Sequence, residues 1–320
     1  MSGPSGARRK WIALLTSNGA LFGLVVLVIA LSVISPNFLT VQNLTNVGIQ
    51  ASVVAILAFG MTFVIITAGI DLSVGSLAAL AAISAAWAGA IGGYPPIVAV
   101  VIGILVGVAA GLVNGILIAF GKVPAFIATL AMLSVGRGLT LVISDGSPLS
   151  TPAPITFLGS RLGGWLPVPV LIMAIMGVIA WVILSKTVAG RAMYAIGGNE
   201  EASRLSGLAV KRTLLYVYGL AGLFAAVAGM VLAGRLSSAQ PQAAAGYELD
   251  AIAAVVIGGA SLFGGVGTVV GSLIGALVLA VIRNGLNLLN VNPFWQQVAI
   301  GVVIALAVLG DSLRRRYAPR

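Results

Sequence analysis

Polar positions in this chain are few, and the apolar runs between them are long. A helix that crosses a bilayer needs about 20 predominantly apolar residues. Ten stretches meet or approach that length: 15–35, 47–68, 72–91, 96–120, 124–143, 167–184, 214–234, 249–263, 267–285 and 295–310. The pattern predicts an all-α polytopic membrane protein with about ten transmembrane helices, one transmembrane domain over residues 1–320. The eighth stretch is short and glycine-rich, so the sequence predicts a broken or re-entrant helix there. Two segments between the runs are long enough to build structure outside the bilayer. Residues 144–166 are rich in Pro, Ser and Gly, and residues 185–213 carry a cluster of charges.

Composition agrees with lipid as the solvent. The chain is 60% hydrophobic and 8% charged, against about 25% charged for a soluble domain. Cysteine and histidine are both absent. Thiolate and imidazole metal sites, cysteine nucleophiles and Ser-His-Asp triads are therefore excluded. The seven acidic residues do not obviously supply the paired carboxylates of an intramembrane enzyme. No catalytic residue, metal ligand or cofactor is expected in this chain.

The net charge of +10 is concentrated in the two tails and in the 185–213 segment. No stripe of Lys, Arg and aromatic residues is present to hold a nucleic acid. With a cytoplasmic N-terminus and ten crossings, Arg8, Arg9, Lys10, the 185–213 segment and the tail from Arg314 to Arg320 share one side. That asymmetry follows the positive-inside rule and places both termini in the cytoplasm. The basic "ARRKW" is followed by an apolar run too long for a signal peptide and by no small-residue cleavage site, so an uncleaved first helix is expected.

Charges inside apolar runs need a reason, because one at mid-membrane costs about 2.5–3.5 kcal/mol on insertion scales. Asp71 lies in "ITAGIDLSVGSL", between Gly69 and Gly75. It can cap a helix starting at Leu72 by accepting the N–H of Ser73 or Val74. Alternatively the chain breaks within the membrane and lines a pathway there. Phe63 and Asn114 join Asp71 as candidate pathway residues, since each places an aromatic or polar group inside an apolar run. Arg137 is expected to snorkel to the outer face, and Glu248 and Asp250 to complement a helix dipole. Gly103, Gly107, Gly111 and Gly115 fall on one helix face, and Gly267, Gly271 and Gly275 repeat the device. Small residues at this spacing let helices approach closely in lipid, and packing within the chain is the expected use. "IGGASLFGGVGTVVGSL" looks weakly like "ITAGIDLSVGSL", which raises a duplicated half-structure.

"GGNEEASRLSG" reads as a short capped helix outside the membrane. Asn199 is a good N-cap. Glu200 and Glu201 occupy the first turn, where the helix dipole favours negative charge. Glu200 and Arg204 have i,i+4 spacing, and Gly207 stands where a left-handed residue ends a helix. Ala202 and Leu205 form a small apolar face beside Leu208. Such a helix either packs under the membrane helix ends or is presented to a partner.

Here the residues carry a resemblance. Glu201-Ala202-Ser203-x-x-x-Gly207 resembles the Glu-Ala-Ala-x-x-x-Gly motif of ABC importer permeases, with Ser in the third position. "GMTFVIITAGIDLSVGSLAAL" (60–80), "AIGGNEEASRLSG" (195–207) and "GYELDAIAAVVIGGASLFGG" (246–265) resemble the ribose-type branch of that family, and the likeness runs from about 20 to 310. The resemblance implies the permease subunit of an ATP-driven monosaccharide importer in a bacterial inner membrane. Its partners would be a second copy of the permease in a homodimer, an ABC ATPase carrying ATP and Mg, and a periplasmic sugar-binding protein. Asn199, Glu200, Glu201, Ala202, Ser203 and Gly207 would couple the permease to the ATPase. The chain has no phosphate-binding loop of its own. The alternative is a secondary transporter that uses Asp71 as a proton or cation site.

Overall fold

The computed structural model describes residues 19–317. The basic residues Arg8, Arg9, Lys10 and Arg320, and the start of the first predicted crossing, lie outside the described residues. Among the described residues, thirteen helices run in the order α1 (Gly19–Ile34), α2 (Val41–Ile66), α3 (Val74–Ala90), α4 (Pro96–Ala119), α5 (Ala125–Ser144), α6 (Ala153–Leu158), α7 (Val168–Lys186), α8 (Val188–Gly198), α9 (Glu200–Leu205), α10 (Val210–Leu236), α11 (Tyr247–Ile257), α12 (Val269–Leu288) and α13 (Pro293–Tyr317). Six of them, α2, α4, α5, α7, α10 and α12, are long and apolar enough to cross a membrane. Helices α1 and α3 and the Pro293–Leu306 part of α13 are apolar but shorter. The chain is a multi-pass, mainly helical membrane protein.

The glycine-rich eighth run is interrupted, as its composition suggests. Helix α11 has 11 residues, which at 1.5 Å per residue is about 16 Å, half of a hydrocarbon core of about 30 Å. It stops at Gly258 and Gly259, the latter at φ +91°. The segment 144–166 is not structureless: it holds α6 and an antiparallel pair, β2 (Arg161–Leu162) with β3 (Leu166–Pro167). Before α6, β1 (Leu149–Ser150) pairs with β4 (Ser238–Ala239) just after α10.

Helix starts follow local chemistry. Pro96 stands at the first turn of α4, where its missing N–H costs nothing. Thr40 caps α2 by accepting the N–H of Asn43 at 3.3 Å, and Thr268 caps α12 by accepting that of Gly271 at 3.0 Å.

The core is built around α2. From Ala51 to Thr67 every residue is buried on all sides, as expected of a helix that is apolar all round and central. Helices α7, α10, α11 and α12 pack around it. The peripheral helices instead present large apolar side chains outward: Ile97 on α4 is 73% exposed and Val142 on α5 is 77% exposed. Such surfaces suit lipid and exclude water.

Lipid tails are as apolar as leucine, so packing and polar contacts rather than solvent exclusion must hold the bundle together. The glycine stripe of α4 supplies the packing. A Cβ on Gly107 would lie 2.7 Å from the Ala226 Cβ, and one on Gly115 would lie 2.9 Å from the Leu215 Cα, both on α10. The stripe on α12 does the same against α11: Gly271 abuts the Gly258 carbonyl and Gly275 the Ala254 carbonyl, so the two helices form an antiparallel hairpin. Packing within the chain is therefore the use of both stripes. Polar staples add to it. Asn43 and Asn284 exchange amide hydrogen bonds of 2.9 and 2.7 Å between α2 and α12. Thr62 and Ser272 hydroxyls lie 2.6 Å apart on the same pair of helices.

Candidate functional site

Two places combine polar chemistry with unusual backbone: the α8–α9 segment and the break between α2 and α3. Helix α8 is capped by Thr187, whose hydroxyl accepts the Gly190 N–H at 3.1 Å. Met193 and Ile196 sink into the core and hold α8 flat against the bundle. The Tyr194 hydroxyl donates to the Gly267 carbonyl at 2.7 Å. Burial pushes the Tyr194 phenol above its ordinary value, so it stays protonated as a donor.

Asn199 separates α8 from α9 in extended backbone and caps α9, its side-chain oxygen accepting the Ala202 N–H at 2.9 Å. At the other end Gly207 adopts φ +83°. Its N–H meets the Arg204 carbonyl and the Leu208 N–H meets the Ser203 carbonyl, each at 3.1 Å. This is the left-handed stop that the sequence indicated. Two details differ from the sequence reading. Arg204 pairs with Glu201 at 2.5 Å rather than with Glu200, both spacings being within reach on a helix, and takes it with two nitrogens. That contact raises the Arg204 guanidinium above its ordinary value. The anticipated apolar face also does not pack inward. Leu205 is 79% exposed and Ala202 is exposed, while Ser203 is the buried residue. The helix thus rests on its small polar side and presents Glu200, Glu201, Arg204 and Leu205 outward.

The second place is 67–73. Helix α2 ends at Ile66, Thr67 folds its hydroxyl back on the Val64 carbonyl at 2.8 Å, and Ala68 takes φ +60°. Asp71 is fully buried within the protein. One carboxylate oxygen accepts both the N–H and the hydroxyl of Ser73, at 2.8 and 2.5 Å. The Asn114 amide of α4 donates to the Ser73 hydroxyl at 2.9 Å, and Thr129 of α5 donates to the Ile70 carbonyl at 3.2 Å. The sequence reading had Asp71 capping a helix that starts at Leu72. Instead α3 starts at Val74 with Ser73 in the cap position, and Asp71 closes a side-chain turn just ahead of it. The second Asp71 oxygen, the Asn114 oxygen and the Tyr218 hydroxyl are buried and have no hydrogen-bond partner among the described residues. Phe63 lies elsewhere, sealed in the core edge-on to Phe224 at 5.7 Å between centroids.

A third polar region surrounds the start of α11. Arg137 has specific acceptors within the protein. It is half-buried and donates to the Pro241 and Ala243 carbonyls at 3.1 and 2.9 Å, fastening the segment before α11 to α5. Glu248 and Asp250 occupy the first turn of α11 as expected, but each also has a specific partner. Glu248 accepts the Gly246 N–H at 3.2 Å. Asp250 accepts Arg283 of α12 on both oxygens, at 2.8 and 2.6 Å, and Arg283 also lies over the Tyr247 ring. Sequence reasoning missed Tyr194, Tyr218 and the Asp250–Arg283 pair. A tyrosine within a span was the available signal for Tyr218.

The family of permease components described under branched-chain amino acid transport systems matches residues 43–308. The chain belongs to that family. The match takes in the α2–α3 break and the whole α8–α9 segment, and leaves α1 outside. The chain is 49% identical to a ribose import permease protein of Escherichia coli over 97% of its own length and 98% of the relative's. It is 50% identical to the ribose import permease protein of Bacillus subtilis over 92% of each chain. A D-allose transport system permease protein of E. coli is 39% identical over 92% of this chain and 91% of its own. No solved structure matches.

Proposed function

We infer that this chain is the membrane permease subunit of an ABC-type sugar importer. One observation carries the reading: identity of 38–50% to permeases named for ribose, allose and arabinose, over nine-tenths or more of each chain. The ribose permeases stand above the others, so a ribose-like monosaccharide is the proposed cargo. The chain contributes no enzyme activity. ATP and Mg belong to a partner ATPase, and a periplasmic binding protein delivers the sugar. Two copies of the chain enclose the pathway in a bacterial inner membrane.

The coupling element is α9 with its cap and stop: Asn199, Glu200, Glu201, Ala202, Ser203 and Gly207. Two features support this role. The helix is locked at both ends by its own backbone chemistry, so it can transmit a push without unravelling. Its outward side, with Glu200, Glu201, Arg204 and Leu205, is available to a partner groove. In this arrangement α1, α2, α3, α4, α5, α7, α10, α11, α12 and α13 make ten membrane elements, α11 being the half-length one, and both termini face the ATPase side. Asp71 and Asn114 then hold the α2–α3 break beside the pathway. Phe63 supports the core behind it.

The test is affinity purification from native membranes in mild detergent. A wild-type chain should bring an ATPase subunit with it, and replacement of Glu201 and Gly207 together should lose that subunit or uncouple it. A wild-type chain that purifies alone and moves sugar without ATP sinks the reading.

A further inference from the structure

Three segments far apart in sequence meet beside α9. The Ile66 carbonyl, at the end of α2, accepts the N–H of Gly265 at 2.9 Å. The Tyr194 hydroxyl of α8 reaches the Gly267 carbonyl at 2.7 Å. Gly197, near the end of α8, lies directly on this pair: a Cβ there would overlap the Ile66 carbonyl and come within 2.6 Å of the Gly265 nitrogen. From the other side, a Cβ on Gly264 would lie 2.7 Å from the Gly197 carbonyl and 2.8 Å from the Ala68 Cβ. Where Gly197 meets Ile66, Gly264 and Gly265, backbone touches backbone with no side chain between to absorb displacement.

The position of the junction matters as much as its tightness. Gly197 is two residues from Asn199, the cap of α9. Ile66 is five residues from Asp71 and opens the α2–α3 break. Gly265 and Gly267 lie in the 258–268 segment between half-helix α11 and α12. The two stretches that look alike in sequence, "ITAGIDLSVGSL" and "IGGASLFGGVGTVVGSL", are both helix breaks, and they touch here.

We propose that this junction relays movement of α9 to both membrane breaks, with Tyr194 as a positioning residue for transport. Its hydroxyl keys α8 to the α11–α12 connection, so that α8, α11 and α12 move as one body when α9 is displaced. The proposal rests on the importer reading above and adds residues outside the α9 motif. Met193 and Ile196 anchor α8 by packing, whereas the Tyr194 hydroxyl is the directional contact. Its loss therefore loosens the relay without releasing the helix.

The test uses the full complex, with ATPase and binding protein, in proteoliposomes, and reads sugar taken up per ATP hydrolysed. Tyr194→Phe keeps the ring and removes the donor. ATPase retention and ATP turnover should stay at the wild-type level while uptake per ATP falls about 2- to 30-fold, the range in which changes along a coupling network act. Tyr216→Phe, a tyrosine 43% exposed on α10, should leave the ratio unchanged. Gly197→Ala should lower the ratio further, and Tyr194→Phe decides the matter if the alanine variant does not accumulate. An unchanged ratio in Tyr194→Phe overturns the proposal. So does a parallel fall in ATP turnover and ATPase retention, which marks a folding or docking role. A wild-type complex that shows no ATP-driven uptake removes the importer reading itself, and this proposal with it.

Discussion

Ser73 gives both its N–H and its hydroxyl to one oxygen of Asp71, at 2.8 and 2.5 Å, inside a fully buried break between two membrane helices. The carboxylate thereby satisfies the Ser73 N–H just ahead of α3. Irregular backbone at membrane depth persists where protein covers it or where it lines a water-filled cavity, and here α4, α5 and α10 provide cover.

Asp71→Asn keeps an oxygen for the Ser73 donors and should retain part of the transport activity. Asp71→Ala leaves both donors buried and unpaired, at about 1–3 kcal/mol for each, and should lower the unfolding temperature of the solubilised protein. Parallel uptake and thermal-unfolding measurements separate these outcomes. A folded Asp71→Asn variant with no transport would show that the charge itself is required.

The Asp250–Arg283 pair should behave asymmetrically. The Asp250 side chain is 4% exposed and that of Arg283 is 29% exposed. Arg283→Ala strands a buried carboxylate, and breaking a buried pair in this way costs about 3–5 kcal/mol. Asp250→Ala leaves an arginine that can still reach solvent, so its cost should be smaller. The double variant should recover part of the Arg283→Ala loss. Thermal unfolding of the three variants checks the order.

Glycine positions offer a contrast within one protein. Gly275→Ala drives a methyl into the Ala254 carbonyl, whereas Gly138→Ala meets nothing within 4 Å. Overpacking of this kind costs about 1–3 kcal/mol. Gly275→Ala should reduce the yield of folded protein in membranes, and Gly138→Ala should not. Equal yields would contradict the α11–α12 hairpin contact.

Ends of α9 should affect coupling before they affect folding. Asn199→Ala removes a cap worth about 0.5–2 kcal/mol. Gly207→Ala forces a side chain into left-handed backbone at about 1–2 kcal/mol. Both residues are exposed, so expression should hold while ATP-driven uptake declines. Unaltered uptake in both variants would remove α9 from the coupling role.

The helices were legible because hydropathy and span length are local properties. The half-length α11 was legible through Gly258 and Gly259, and α9 through Asn199 and Gly207. Partner choice across the bundle was not. Asn43 finds Asn284 across 241 positions, Thr62 finds Ser272 across 210, and Asp250 finds Arg283 across 33. Nothing in a local period records which helix a polar side chain faces. Arg137 shows the same limit: its charge was plain, but the carbonyls of Pro241 and Ala243 that accept from it lie on a segment brought near only by the fold. Glu200 and Glu201 were both within reach of Arg204, and side-chain geometry rather than spacing chose between them.

The most direct measurement is uptake of labelled ribose into proteoliposomes holding this chain, its ATPase and its binding protein, with ATP supplied or withheld and ion gradients intact or collapsed. Uptake should require hydrolysable ATP and should survive loss of the proton and sodium gradients. Uptake by the chain alone that follows an ion gradient would contradict the account and make the Asp71 carboxylate the centre of the mechanism.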